Sequence, residues 1–145
     1  MSDTRQVAAE AIDAFNAHDS ARIRATYADD VVFEAPGEVR LQGADATTNY
    51  AMGWLNAFPE AKLTIHQELF DGEWGVQQFT FDGTHQATLA GPEGDIPATG
   101  KALSGRGLQM FRVRDGRITE EHLYFDQMQV LEQLGLMTAG SAGMA

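Results

Sequence analysis

The spacing of apolar residues divides this chain in two. Over residues 4 to 18 they recur every three or four positions, Val7, Ala8, Ala11, Ile12 and Phe15, drawing one stripe on an amphipathic helix. Asp19 and Ser20 can cap a short second helix carrying Ile23, Arg24 and Tyr27, and DDVVFEAP then reads as a short strand stopped by Pro36. GEVRLQGAD is expected to turn. A third helix runs from Ala44 to Phe58, with Thr47, Tyr50, Trp54 and Phe58 along one side and Pro59 ending it.

Beyond residue 60 the pattern becomes extended. AKLTIHQELF and EWGVQQFTFDGTH alternate on either side of Asp71-Gly72, and KALSGRGLQMFRVR and ITEEHLYFD on either side of Asp115-Gly116, the dipeptide that favours tight hairpin turns. Between the hairpins, QATLAGPEGDIPATG is too rich in glycine and proline for regular structure and is expected to be a long loop, either a lid over residues 86–99 or a wide connection. Met128, Leu131 and Leu134 suggest a last helical turn or two ending at Gly135. Residues 1–136 therefore form one domain and 137–145 a flexible tail. Three helices followed by four long antiparallel strands, plus a short extra strand, define an α+β architecture with helices on one face of the sheet. Curling of the sheet at Gly75, Gly83, Gly105 and Gly107 would enclose a pocket.

The last strand carries the candidate chemistry. Strict alternation puts Ile118, Glu120, His122, Tyr124 and Asp126 on one face and Thr119, Glu121, Leu123 and Phe125 on the other. If the first face is the cavity wall, Leu123 and Phe125, with Leu108 and Met110, are left on the outside as an apolar patch, and a homodimer through the sheet is expected. His122 and Asp126 lie four residues apart, about 13 Å along a strand, so they act as separate groups rather than as a dyad.

Composition narrows the classes. A formal net charge of -11 opposes binding to nucleic acid or anionic membranes, and no apolar run approaches the length of a membrane span. The N-terminus shows no basic start followed by an apolar block, so the cytoplasm is the expected compartment. With zero cysteines there is no thiol nucleophile or thiolate ligand, and four histidines without ligand spacing predict no metal site. GDIPATGKA has the wrong glycine spacing for a phosphate-binding loop, and the GxG at Gly105 and Gly107 lacks the third glycine of a dinucleotide site.

The order and spacing of AFNAHD, DDVVFEAP, AFPEAKL, FDGTH, ATGK, FRVRDGRITEEH and FDQMQVLEQLGL resemble the SnoaL-like polyketide cyclase family, within the nuclear transport factor 2-like superfamily, from about residue 5 to 136. The resemblance implies a cone: a curved antiparallel sheet wrapped around three N-terminal helices, enclosing a ligand cavity and often dimerising. It also implies a cofactor-independent cyclase of a polyketide-like substrate, closing a ring by an intramolecular aldol reaction. The carboxylate at the end of the last strand, acid and base in that chemistry, corresponds to Asp126. Where relatives commonly carry tryptophan, this chain has His122, and where cyclases carry a histidine on the preceding strand, the nearest polar residue is Gln109.

Asp126 and His122 are accordingly the catalytic candidates. Phe15, Tyr27, Tyr50, Trp54, Phe79, His85, Gln109 and Tyr124 are the candidates for contact with a hydrophobic small-molecule substrate. His85 shares parity with Phe79 and Phe81, and either points inward or anchors the following loop. Other chemistry stays open on the same scaffold: isomerisation, pericyclic closure, or epoxide hydrolysis or opening. The epoxide hydrolases pair two aspartates through an arginine, for which Arg106 is available, but Leu108 stands where the second aspartate is expected. A non-catalytic small-molecule-binding module is the remaining alternative, because fold does not fix function.

Overall fold

In the computed structural model, which describes residues 3–91 and 94–136, the N-terminal stripe becomes α1 (Asp3–Asn16), burying Ala8 and Ala14 and packing Val7, Ala11 and Phe15 on the core. α2 (Ser20–Ala25) starts at Asp19, whose carboxylate accepts a hydrogen bond from the Arg22 N–H at 3.1 Å. Tyr27, expected on this helix, instead opens β1 (Tyr27–Ala35). The cause is tertiary: the Thr26 carbonyl accepts from the Ile118 N–H, drawing the chain into the sheet after six helical residues.

The segment expected only to turn does so at Gly37 and Glu38, both at positive φ, and then returns as β2 (Val39–Gln42), with Val39 opposite Ala35. α3 (Ala44–Ala57) follows, with Phe58 fully buried at its end. β3 (Lys62–Asp71) and β4 (Trp74–Thr84) form the first hairpin, whose turn residues are Gly72 and Glu73 because Asp71 pairs with Trp74. The segment expected to be an irregular loop contains a small ribbon, β5 (Leu89–Gly91) paired with β6 (Gly94–Ile96). Leu89 is buried in the core, and the Gln86 and Ala87 N–H groups donate to the Ala57 carbonyl, so the end of α3 holds the ribbon. β7 (Ala102–Arg114) and β8 (Arg117–Phe125) turn at Asp115 and Gly116, with φ of 52° and 76°, the left-handed pair that suits a two-residue hairpin. α4 (Gln127–Gln133) closes the described chain.

The expected four long strands plus one short are corrected to a six-stranded sheet in the order β2-β1-β8-β7-β4-β3. All its neighbours are antiparallel except β1 and β8, which run parallel. Such a pair joins distant parts of the chain and leaves no local signal of the kind a hairpin turn provides. α1 packs on β3, β4 and β7, and α3 on β1, so helices cover one face. Among the described residues no helix is long and apolar enough to cross a membrane. Residues 137–145, expected to fray, lie outside the described residues.

Candidate active site

The site depends on the phase of β8. Its pairing with β7 skips a residue: Arg112 faces Glu120, but Val113 faces Ile118, so Thr119 is a bulge. An extra residue in one strand reverses every later side chain relative to strict alternation. Ile118 therefore points inward, and so do Glu121, Leu123 and Phe125, all of which line the cavity beneath the helices. The expected faces of this strand are thus exchanged from Glu120 onward. His122 and Tyr124 face outward, and Leu123 and Phe125 are cavity wall rather than dimer surface.

The cavity has a volume of about 120 Å³. Of the residues expected to contact a ligand, Phe15, Tyr27, Tyr50, Trp54, Phe79 and Gln109 line it. Its aromatic wall is tightly fitted: Trp54 meets Phe81 at 5.7 Å and Phe125 at 5.5 Å between ring centroids, edge to face. Gly107 makes room for this wall, since a Cβ there would stand 2.4 Å from the Phe79 ring. A hydrogen-bonded pair of amides from the sheet interrupts the apolar surface. Gln109 Nε2 donates to Gln77 Oε1 at 2.8 Å, and Gln77 Nε2 donates to Glu68 Oε2 at 2.7 Å, a row running across three strands to the sheet edge.

Glu121 is the residue that the sequence reading placed on the wrong side. It sits between Phe33 of β1 and Phe111 of β7 in the sheet and is 8% exposed. Among the described residues its side-chain partner is Tyr27, whose hydroxyl donates to Oε1 at 3.3 Å. Burial pushes the Glu121 carboxyl up to about 7, against smaller opposing effects of the Tyr27 hydrogen bond and the His122 charge. Burial, with the Glu121 charge adding to it, also raises the phenols of Tyr27 and Tyr50. One signal for Glu121 was legible. Two adjacent glutamates on a strand must face opposite ways, so whichever face is inside receives a carboxyl.

Asp126 lies one residue beyond β8, where it lines the cavity and is exposed to solvent. Its Oδ1 accepts from the Met128 N–H at 2.9 Å and the Gln129 N–H at 3.3 Å, capping α4. Arg106 and Gln129 also line the cavity, and Gln129 Oε1 accepts from the Arg106 backbone N–H at 3.1 Å. Leu108, considered as the place of a second aspartate, is on the outer face and 39% exposed.

Three other candidates lie outside the cavity. His122 is held on the outer face between Glu34 (Nδ1 to Oε1, 2.9 Å) and Glu120 (Nε2 to Oε2, 2.6 Å), with Arg40 beyond Glu34 at 3.5 Å. Burial alone would lower the imidazole pKa, but the two carboxylates together raise it above its ordinary value, and the ring bridges β1 and β8. Tyr124 is 57% exposed. His85 is fully buried and stacks on Phe58 at 5.1 Å, and its Nδ1 accepts from the Thr99 N–H at 3.2 Å. It thereby ties the two ends of the ribbon segment together, the anchoring role rather than the inward one. None of the described residues of 86–99 lines the cavity.

Comparison with known proteins follows the same architecture. Residues 5–134 match the family of SnoaL-like polyketide cyclases. The aklanonic acid methyl ester cyclase DnrD of Streptomyces peucetius is 32% identical over 87 residues, 59% of this chain and 57% of DnrD, so the match spans little more than half of that relative. A candidate SnoaL-like polyketide cyclase from Jannaschia sp. CCS1 superposes with a TM-score of 0.83 at 14% identity, covering 94% of each chain. IdmH, a candidate polyketide cyclase from Streptomyces antibioticus, does so with a TM-score of 0.76 at 26% identity, covering 91% of this chain and 98% of IdmH. The family match takes in every element from α1 to α4 apart from the first two residues of α1, and the chain belongs to the SnoaL-like polyketide cyclase family.

Proposed function

We propose that this protein is a cyclase that closes a ring in a polyketide-like, enolisable substrate by an intramolecular aldol reaction, with Asp126 as acid and base and without metal or organic cofactor. The carrying observation is a fixed carboxylate opening onto a largely aromatic cavity: both helix-capping bonds of Asp126 fall on Oδ1, which leaves Oδ2 for a proton. Asp126 takes a proton from a carbon next to a carbonyl, and the resulting enolate carbon bonds to a second carbonyl carbon. The alkoxide so formed recovers the proton from Asp126. Gln109 has one N–H committed to Gln77 and keeps the other for an oxygen on which charge develops. The aromatic wall supplies positioning, which brings the reacting carbons together. A cavity of about 120 Å³ is comparable to one that accepts a single benzene ring, so the rest of a larger substrate extends out past Asp126.

Aklanonic acid methyl ester, the compound in DnrD's name, is the first substrate to test. Wild-type protein is expected to convert it to a ring-closed isomer of unchanged mass, and Asp126→Asn to lower kcat by roughly 10²- to 10⁴-fold. Full turnover by Asp126→Asn would overturn the assignment, and a pericyclic closure guided by cavity shape alone would then fit better. Binding without turnover by the wild type would make the protein a binding module.

We also propose a homodimer through the outer face of the sheet. With Leu123 and Phe125 inside, that face is built from Leu69, Val76, Leu108, Met110 and Tyr124, of which Leu69 is 63% exposed. Light scattering should report twice the chain mass, falling to one copy in Leu69→Lys/Tyr124→Lys; a wild-type monomer sinks the proposal.

A further inference from the structure

The cavity's buried carboxyl has no part in the chemistry assigned to Asp126. Glu121 lies on β8 about 13 Å before Phe125 along the strand, with Leu123 between them on the cavity wall. Its neighbours in the sheet are two phenylalanines, Phe33 and Phe111, and Tyr50 packs on Phe33 with ring centroids 5.0 Å apart. A carboxyl enclosed in this way is costly to the fold. Nothing basic from the surrounding helices or strands pairs with it among the described residues; the groups that act on it are Tyr27 of β1 and, through the sheet, His122, and its charge in turn reaches Tyr50 of α3.

We propose that this inner end of the cavity is a second polar subsite that binds the carbonyl oxygen of an aryl or conjugated ketone, Glu121 donating the hydrogen bond as a neutral acid and Tyr27 orienting it. The Tyr27 hydroxyl occupies Oε1, so the acidic proton on Oε2 is the group left to meet a ligand. Tyr27 is a positioning residue and Glu121 a ligand-contacting one. The ligand class follows from the walls: an aromatic or conjugated body for Phe33, Phe111 and Tyr50, carrying one acceptor and no charge, because an anion would face Glu121 whenever it ionises. Burial that holds the carboxyl at about 7 keeps a large neutral fraction at pH 6 and a small one at pH 8. The subsite rests on reading the cavity as the substrate's site, but not on the role of Asp126.

The test uses two single-ring probes of similar size, acetophenone and ethylbenzene, titrated into the full protein by NMR at pH 6 and pH 8. The quantity read is the ratio of their affinities. Replacing the donor, in Glu121→Leu, is expected to lower the acetophenone-to-ethylbenzene ratio at pH 6 by roughly three- to tenfold, the worth of one net hydrogen bond, with ethylbenzene binding retained. In wild type the ratio should fall between pH 6 and pH 8. In Glu121→Gln, which still donates an N–H but does not titrate, it should stay level. A ratio unchanged by Glu121→Leu, or equally pH-dependent in Glu121→Gln, overturns the subsite. The two proposals fail separately: a protein with this ratio change but no turnover loses only the cyclase reading, and an active cyclase without it loses only the subsite.

Discussion

At the scale of single residues, Asp126 caps a helix and, in the proposed reaction, carries a proton, and two substitutions separate these roles. Asparagine caps a helix about as well as aspartate, so Asp126→Asn should keep the wild-type melting temperature while losing activity. Asp126→Ala should lose both, with about 1 kcal/mol of stability going with the Met128 and Gln129 bonds. Equal stability of the Asn and Ala proteins in urea titrations would show that the cap contributes nothing. His122 illustrates the opposite case. Its chemistry was legible as a type, but its two partners come from β1 and β8, eighty-eight and two residues away, and only the first of those distances makes it structural.

Elements decide which residues meet. The bulge at Thr119 moves Leu123 inside and Tyr124 outside, and the pair tests it directly. Leu123→Asp should cost several kcal/mol or abolish folding, because an unpaired carboxylate would enter an apolar cavity. Tyr124→Asp should change monomer stability by no more than about 0.5 kcal/mol, as is usual for exposed positions. Comparable losses in chemical denaturation would contradict the assigned phase. The ribbon within residues 86–99 shows the same dependence on partners. Its glycines and prolines argued for irregular chain, yet Leu89 finds the core and His85 clamps Thr99, so two three-residue strands pair where local propensity was poor.

For the whole molecule, the titrating groups predict a sign. Glu121's carboxyl lies at about 7 when folded, against 4.5 for the free group. Its contribution is therefore fully present below about pH 4.5 and is lost as pH rises toward and through 7, a difference on the order of 3 kcal/mol. His122, also raised, acts in the same direction, holding its contribution below its unfolded pKa and losing it as pH rises through the folded one. Buried His85, lowered by burial, opposes both and weakens the fold as pH drops below its free value. The net expectation is a melting temperature that falls from pH 6 to pH 8, with a shallower slope in Glu121→Gln. A slope as steep in Glu121→Gln would mean that Glu121 does not titrate in this range. Tyr27→Phe/Glu121→Leu removes both buried polar groups and should melt higher than wild type, since matched apolar replacements in a core are often neutral or stabilising.

What the chain determines by itself is whatever acts over a few residues. The helical stripe of α1, the Asp19 cap, the Asp115-Gly116 turn and the alternation of β3, β4 and β7 all rest on local sterics and periodicity, and the ordered motifs were specific enough to indicate the family. Tertiary structure alone decided the parallel pairing of β1 with β8, which has no local signature, and with it the facing of Tyr27 and Phe33 toward Glu121. It also decided the single skipped residue at Thr119. A strand's side chains alternate with a period of two, so one extra residue exchanges inside for outside, and here that exchange separates an outer His122 from a buried Glu121.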